Sequence, residues 1–254
     1  MADKVKSILV IPDAQVRPGV DVSHLSHIGQ YIADKRPDAV VNIGDFADMS
    51  SLSSYDRGKR SFEGRTYADD IKSVRHAMGL LMAPFKGIRG YKPKLIFTLG
   101  NHEERILRAI EEDGRLYGTI SMKDLGYEEA GWEVHPFLEV VMYEGIAFAH
   151  YFCSGPMQRP VTSARALVKS RHCSAVMGHT QTADVYLADQ RPDGRHITGL
   201  FCGTAYSHFE NYLGPQGNSQ RRQVVMLNDV RDGEFDLCFV SLRFLARKYG
   251  RKAA

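Results

Sequence analysis

The 254 residues are 43% hydrophobic and 25% charged, which is enough apolar material for one large or two small domains and argues against a disordered chain. Thirty-three basic and 30 acidic residues leave a net charge of only +3 without long blocks of one sign, excluding a histone-like or purely electrostatic binder. No stretch approaches 18 uninterrupted apolar residues, and the run in MADKVKSILVIPD is too short for a signal peptide, so a cytoplasmic protein with no membrane partner is expected.

In chain order, residues 7–13 (SILVIPD) read as a buried strand opening into a loop at Asp13. A helix is predicted over 20–36, with Leu25, Ile28, Tyr31 and Ile32 on one face. Residues 39–43 (AVVNI) form a second strand ending in Gly44-Asp45, followed by a polar loop over 49–64 and a helix over 67–85. Residues 94–99 (KLIFTL) form a third strand ending in Gly100-Asn101-His102-Glu103. This β-α-β-α-β alternation predicts an α/β sheet with parallel strands.

Beyond Gly131 short strand-like runs succeed one another at 138–143, 146–150, 175–177, 185–188, 197–202, 224–227 and 235–240, interrupted by one clear helix at 162–171. No linker or internal repeat divides the chain. The expected architecture is α/β, a single domain over 1–242 in which two mixed β-sheets pack face to face with flanking helices. Residues 243–254 carry Arg243, Arg247, Lys248, Arg251 and Lys252 and no acid, and read as a basic C-terminal tail, solvated or in weak contact with nucleic acid; without them the chain is mildly acidic. Cys153, Cys173, Cys202 and Cys238 lie at least 20 residues apart, which predicts reduced thiols rather than a metal knuckle or disulfide framework.

In open α/β sheets ligands sit at the carboxyl ends of strands. Five predicted strands end in groups able to hold a metal: Asp13-Ala14-Gln15, Gly44-Asp45-Phe46-Ala47-Asp48, Gly100-Asn101-His102-Glu103, His150, and Gly178-His179-Thr180-Gln181. One strand-end Asp is ordinarily a turn former, but five such ends in one chain point to a shared centre.

In this order the motifs resemble the calcineurin-like metallophosphoesterase family, whose signature runs DxH, GDxxD or GDxxR, GNHD or GNHE, a lone His, then GHxH. The match covers residues 8–181, with GDFAD and GNHE intact, and DFADMSSLSSYDRGK is similar to small phage-encoded members. The resemblance implies an αββα sandwich and a two-metal site that hydrolyses phosphomono- or phosphodiesters by attack of metal-bound hydroxide. It implies one metal on Asp45, Asn101, His150 and His179, and the other on Asp13, Gln15, Gln181 and the bridging Asp45. It also implies that His102 faces the phosphate as the acid and that Asp48 orients its ring.

Two departures, Gln15 and Gln181 where the family has His, fall on the same metal. An all-oxygen donor set favours Mn²⁺, with Mg²⁺, Zn²⁺ or Fe²⁺ as alternatives, and weaker binding at the site of Asp13, Gln15 and Gln181. Two other readings stay open: a single-metal site that the glutamines only hydrogen-bond, and a non-catalytic metal- or nucleic-acid-binding module. Asn101 and His102 also open a predicted helix over 103–110, where Asn101 suits an N-cap.

Arg17, Arg159 and His208 lie in loops near the expected centre and are candidates for substrate binding. The loop over 49–64 interleaves aromatics and cations, including Tyr55 and Arg57, and is the candidate element for selecting a nucleotide, a DNA or RNA strand, or another phosphate ester. His24 and His27, spaced i and i+3, have no carboxylate partner in the pattern and read as helix histidines; His76, His135, His172 and His196 read as structural.

Overall fold

The computed structural model describes residues 6–189, 191–210 and 214–250. The first half contains β1 (Lys6–Ile11), α1 (Ser23–Lys35), β2 (Ala39–Asn42), α2 (Tyr67–Met82), β3 (Lys94–Thr98), α3 (Arg105–Glu112), the single turn α4 (Tyr127–Ala130) and β4 (Glu133–His135). Then come β5 (Val141–Tyr143), β6 (Ile146–Phe148), the short pair β7 (Cys153–Ser154) and β8 (Arg159–Pro160), α5 (Ala164–Arg171), β9 (Ala175–Met177), β10 (Ala183–Leu187) and β11 (Thr198–Cys202). The turn α6 (Gly214–Gly217), the hairpin β12 (Gln223–Arg231) and β13 (Glu234–Ser241), and α7 (Leu242–Tyr249) complete it.

Two large mixed sheets result. The first has the order β13-β12-β1-β2-β3-β4, with β1 to β4 parallel and β12 antiparallel to β1. The second runs β10-β11-β9-β6-β5, with β6, β9 and β11 parallel. The period-two alternation of side chains sorts each strand between two layers. Ile8 and Val10 of β1 face the inter-sheet core with Ile146, Phe148, Val176 and Leu200, whereas Leu9 and Ile11 join the core under α1 and α2. In the second sheet, Ala147, Ala175, Met177 and Phe201 turn instead towards α5. The expected fold class is therefore observed: two mixed sheets packed face to face, flanked by helices.

Local sequence explains the helix starts. The Thr66 side chain accepts from the Asp69 N–H with Asp69 and Asp70 in the first turn of α2, and Ser163 caps α5 through Ala166. Asp70 is nearly fully buried and also accepts from Ser50 Oγ at 3.1 Å and the Ser51 N–H at 2.8 Å, so α2 anchors the start of the 49–65 segment.

Three expectations about elements need correction. The helix predicted from 103 begins at Arg105 with Glu104 at its N-cap and no side-chain capping bond, because Asn101 and Glu103 direct their side chains elsewhere. The strand predicted over 138–143 is confined to Val141–Tyr143, since Leu138 adopts a left-handed backbone with φ of 68°. Lastly, the start of the supposed solvated tail is helix α7, capped by Ser241, with Leu242 and Leu245 buried. Lys248 pairs with Asp34 of α1, and the Tyr249 ring meets Tyr31 edge-on at 6.5 Å. Arg243, Arg247 and Lys248 thus ride on a docked amphipathic helix, whose apolar face the charge count concealed; Arg251 and Lys252 lie outside the described residues. No helix among the described residues is long and apolar enough to cross a membrane.

Candidate metal centre

The carboxyl ends of β1, β2 and β3 meet those of β6 and β9 at one edge of the sandwich, and backbone geometry there is unusual. Gln15, Asp45, Met49, His179 and Gln181 all have positive φ, between 44° and 64°. Such conformations cost non-glycine residues roughly 1 to 3 kcal/mol each and persist only where the surroundings impose them. Glycine is required beside them: a Cβ on Gly100 would come within 2.1 Å of Asp45 Oδ1, and one on Gly178 within 2.4 Å of Asp13 Oδ1.

Asp45, His150 and His179 each offer one ligand atom, and the three atoms lie within 4.8 Å of one another. His150 is fully buried, and its Nδ1 lies 2.8 Å from the Ile43 carbonyl oxygen, which can only accept, so Nδ1 carries a proton. Its Nε2 faces Asn101 Oδ1 at 3.0 Å and Asp45 Oδ2 at 3.3 Å. In the neutral tautomer a lone pair would point at two oxygens, an arrangement that a proton or a metal ion on Nε2 relieves. Burial works against a protonated His150, yet the Asp45 carboxylate outweighs it and raises the ring to about 9. His179 Nδ1 reaches the same Asn101 oxygen at 2.7 Å, and burial together with the His150 charge lowers His179 to about 4, keeping it neutral.

The oxygen-rich side is built differently. Asp13 Oδ1 accepts from the His179 N–H at 3.1 Å, whereas its buried Oδ2 has no hydrogen-bond partner. Burial, reinforced by the Asp45 charge, pushes the Asp13 carboxyl up to about 7. The Gln15 N–H donates to the Asp45 carbonyl at 2.9 Å, and its buried Nε2 is likewise unpartnered. Gln181 Oε1 accepts from the hydroxyl of fully buried Tyr206 at 3.0 Å. A buried carboxylate oxygen without a donor, next to a second carboxylate, suits a cation. Asp45, His150 and His179 therefore fit a divalent cation as carboxylate and imidazole donors.

His102 and Asp48 come together as expected. His102 Nδ1 lies 2.8 Å from Asp48 Oδ1, its Nε2 is 3.7 Å from Asp45 Oδ2, and its N–H donates to Asp45 Oδ1 at 2.9 Å. Burial disfavours the imidazolium, but Asp45 and Asp48 raise the ring above its ordinary value. Asp48 itself, despite burial, is held well below the usual carboxylate range by His102, Arg105 and Arg17.

Three supporting residues had escaped the sequence reading. Glu103, fully buried, accepts the N–H groups of Asp45, Ala47 and Gly100, each at 2.9 Å, and the Tyr127 hydroxyl at 3.2 Å, so it ties the β2 loop to the β3 loop. Its signal was an acid inside GNHE with no assigned task. Arg105 donates to the Asp48 carbonyl at 2.7 Å and to its carboxylate at 3.2 Å. Glu210 accepts from Arg17 with both carboxylate oxygens, at 2.7 and 2.8 Å, and nothing in the local pattern marks it.

The substrate candidates divide. Arg17 reaches the site but is held by Glu210 and by Asp48 at 3.2 Å. Tyr55 is exposed beside the centre, and Arg57 pairs with Glu112 at 3.1 Å on the surface. His208 does not border the site directly: it bonds Glu210 at 2.6 Å and stacks on Tyr206, supporting Arg17 from behind. Arg159 belongs to the β7-β8 hairpin and lines neither cavity at the centre, because β8 pairs with β7 instead of entering the site. His24 is buried against Ser207, its ring lowered to about 4 mainly by burial, and it lies with His27 on α1. His135 is bracketed by Glu133 and Glu139, and the four cysteines are free.

No family model matches the chain. Over 101 residues it is 35% identical to the Gene 54 protein of Mycobacterium phage L5 and 33% identical to that of Mycobacterium phage D29, matching 39% of this chain and 37% of each relative. The chain thus spans little more than a third of the length of the curated relatives it matches. Among solved structures, a predicted phosphoesterase from Streptococcus pneumoniae TIGR4 aligns at 12% identity and a TM-score of 0.41, covering 94% of this chain and 90% of that one. The E. coli phosphoesterase YfcE aligns at 14% and 0.39, covering 93% and 99%. A dimetal phosphatase from Danio rerio aligns at 9% and 0.45, covering 94% and 97%. At these identities and scores the likeness carries no information on activity.

Proposed function

We propose that the chain is a metal-dependent phosphoric ester hydrolase, acting on phosphomono- or phosphodiesters at a two-metal centre. The observation that carries this reading is a juxtaposition: His102 Nε2 stands 3.7 Å from the same Asp45 oxygen that faces His150 Nε2 at 3.3 Å. A proton donor and a metal-competent cluster therefore share one carboxylate, which puts an acid beside the groups that would hold the cation. Asp45, Asn101, His150 and His179 would hold one cation, and Asp13, Gln15, Gln181 and Asp45 the other. Bound divalent cations supply Lewis acidity and a nucleophile at neutral pH.

The chain's own groups do the rest. Asp48 fixes the His102 ring through Nδ1 and supports its positive charge against the Arg105 guanidinium, which lies 3.4 Å from Nε2, and Nε2 is the nitrogen that would protonate the departing ester oxygen as its bond to phosphorus breaks. Glu103 and Arg105 keep the two loops from drifting apart, which matters because small misplacements of an acid cost large factors in rate. The neutral amides of Gln15 and Gln181 support a preference for Mn²⁺ over Zn²⁺ and weaker binding on their side. Host cytoplasm is the proposed place of action, supported by the phage source of the two curated relatives.

One panel tests the reading: p-nitrophenyl phosphate, bis-p-nitrophenyl phosphate and cyclic nucleotides, each with Mn²⁺, Mg²⁺ and Zn²⁺. Turnover that is greatest with Mn²⁺ is expected. No turnover with any metal overturns hydrolysis and leaves a binding module, and two tightly held zinc ions with no gain from Mn²⁺ overturn the metal preference.

A further inference from the structure

Two cavities meet at the candidate centre. One, of about 730 Å³, is lined by His102, Arg17, Lys59, Arg65 and Arg105. The other, of about 670 Å³, is lined by His179, Tyr151, Arg57, Arg108 and Arg115. Ser53, Tyr55, Asn101 and Arg105 belong to both. Asn101 is the residue whose amide oxygen faces His150 and His179, so the point where the cavities join is also the point where chemistry is proposed.

A phosphomonoester carries one organic group and needs one such cavity. A diester inside a polymer leaves the phosphorus in two directions and needs both. Tyr55 is the aromatic side chain among the four shared residues, and at 81% exposure, with no ring stacked on it among the described residues, its face is open to a base. The surrounding cations suit a polyanion, although none dominates the surface. Arg57 pairs with Glu112, Arg115 with Asp113 and Lys59 with Asp56, at 3.1, 2.7 and 3.0 Å, and the cationic side chains of these pairs are 76%, 90% and 59% exposed. Exposed pairs of this kind are weak, so a phosphate can take over the cation. This pairing also reconciles a cation-lined path with a nearly neutral chain.

We infer that the substrate is a single-stranded nucleic acid whose backbone crosses the centre at Asn101, with an unpaired base stacked on Tyr55 where the two cavities join; this rests on the phosphoesterase reading above. A stacked base must be free of its complement, which is why a single strand and not a duplex is specified.

The test uses the full chain with Mn²⁺, a 12-residue single strand of DNA, the same sequence in RNA, its DNA duplex, and bis-p-nitrophenyl phosphate. Cleavage of one or both single strands is expected with a kcat/KM at least tenfold above that of the duplex and of the small diester; the DNA and RNA arms show which backbone is used. Tyr55→Ala should raise KM for the single strand by about 5- to 100-fold, while Tyr55→Phe, which keeps the ring, should restore it. If the small diester is hydrolysed and neither strand is cut, or if duplex is cut as well as single strand, this inference is overturned while the phosphoesterase reading stands. If nothing is hydrolysed, that reading fails, and fluorescence anisotropy of a labelled strand decides the remainder: binding weakened by Tyr55→Ala supports a strand site, and its absence overturns it.

Discussion

The two sheets contribute opposite chemistry to the centre. Loops after β1 and β2 of the first sheet bring the carboxylates Asp13, Asp45 and Asp48, while loops after β6 and β9 of the second bring the imidazoles His150 and His179. Asn101 and Gln181 sit among them as neutral amides. Asp48 is compensated within the first sheet by His102, Arg105 and Arg17, whereas Asp45 is shared, with His102 of the first sheet 3.7 Å and His150 of the second 3.3 Å from its Oδ2. Packed together the two sheets balance there, as the buried pair of His150 and Asp45 shows. The cost of keeping such groups out of water explains why Glu103 and the Ile43 carbonyl are committed to holding the loops, and why backbone strain gathers at Gln15, Asp45, His179 and Gln181.

The contrast between the sheets can be broken in several ways. The largest effect is expected from His102→Ala, which removes the proposed proton donor but no proposed ligand. The kcat should fall by about 10²- to 10⁴-fold with metal content unchanged, and equal losses in both would show that His102 holds metal. An intermediate effect concerns the helical layer on the first sheet, outside the centre. His24 has a folded pKa of about 4 against an ordinary 6.5, so the unfolded chain takes a proton that the native state refuses, and stability falls as pH drops through that window. Urea unfolding should show about 2 kcal/mol less stability at pH 5 than at pH 7 from this group alone. The same loss in His24→Gln as in the unaltered protein would show that His24 is not the source. The smallest effect is expected from Gln181→His, which places an imidazole on the oxygen-rich side. Zinc retained after dialysis should rise about tenfold in affinity relative to manganese, and an unchanged ratio would mean that Gln181 does not face a cation.

Much of the site could be read along the chain because its parts lie at strand ends, where an apolar run stops and a polar group begins. Asp45, His150 and His179, the one metal-competent group among the described residues, were all marked this way, as was the pairing of Asp48 with His102. Residues that act by supporting others were not. Glu210 meets Arg17 across 193 positions, and no local period or spacing encodes that distance. Arg159 and His208 failed as direct site residues for the converse reason, since loop position in the sequence does not say which way a loop turns. The α7 helix was hidden by its own composition: five of its eight residues, Leu242, Phe244, Leu245, Ala246 and Tyr249, are apolar or aromatic, but three cations among them read as a tail until Leu242 and Leu245 had a surface to pack on.

The sequence by itself determined the layered α/β architecture and the set of groups able to hold metal, because alternation of apolar residues along strands and the chemistry of strand-end side chains are local properties. Only the tertiary structure decided how Glu103 and Glu210 hold the loops, and that two cavities meet beside Tyr55. Those facts depend on the packing of one sheet against the other, which brings residues more than a hundred positions apart within hydrogen-bonding distance, as between Ile43 and His150.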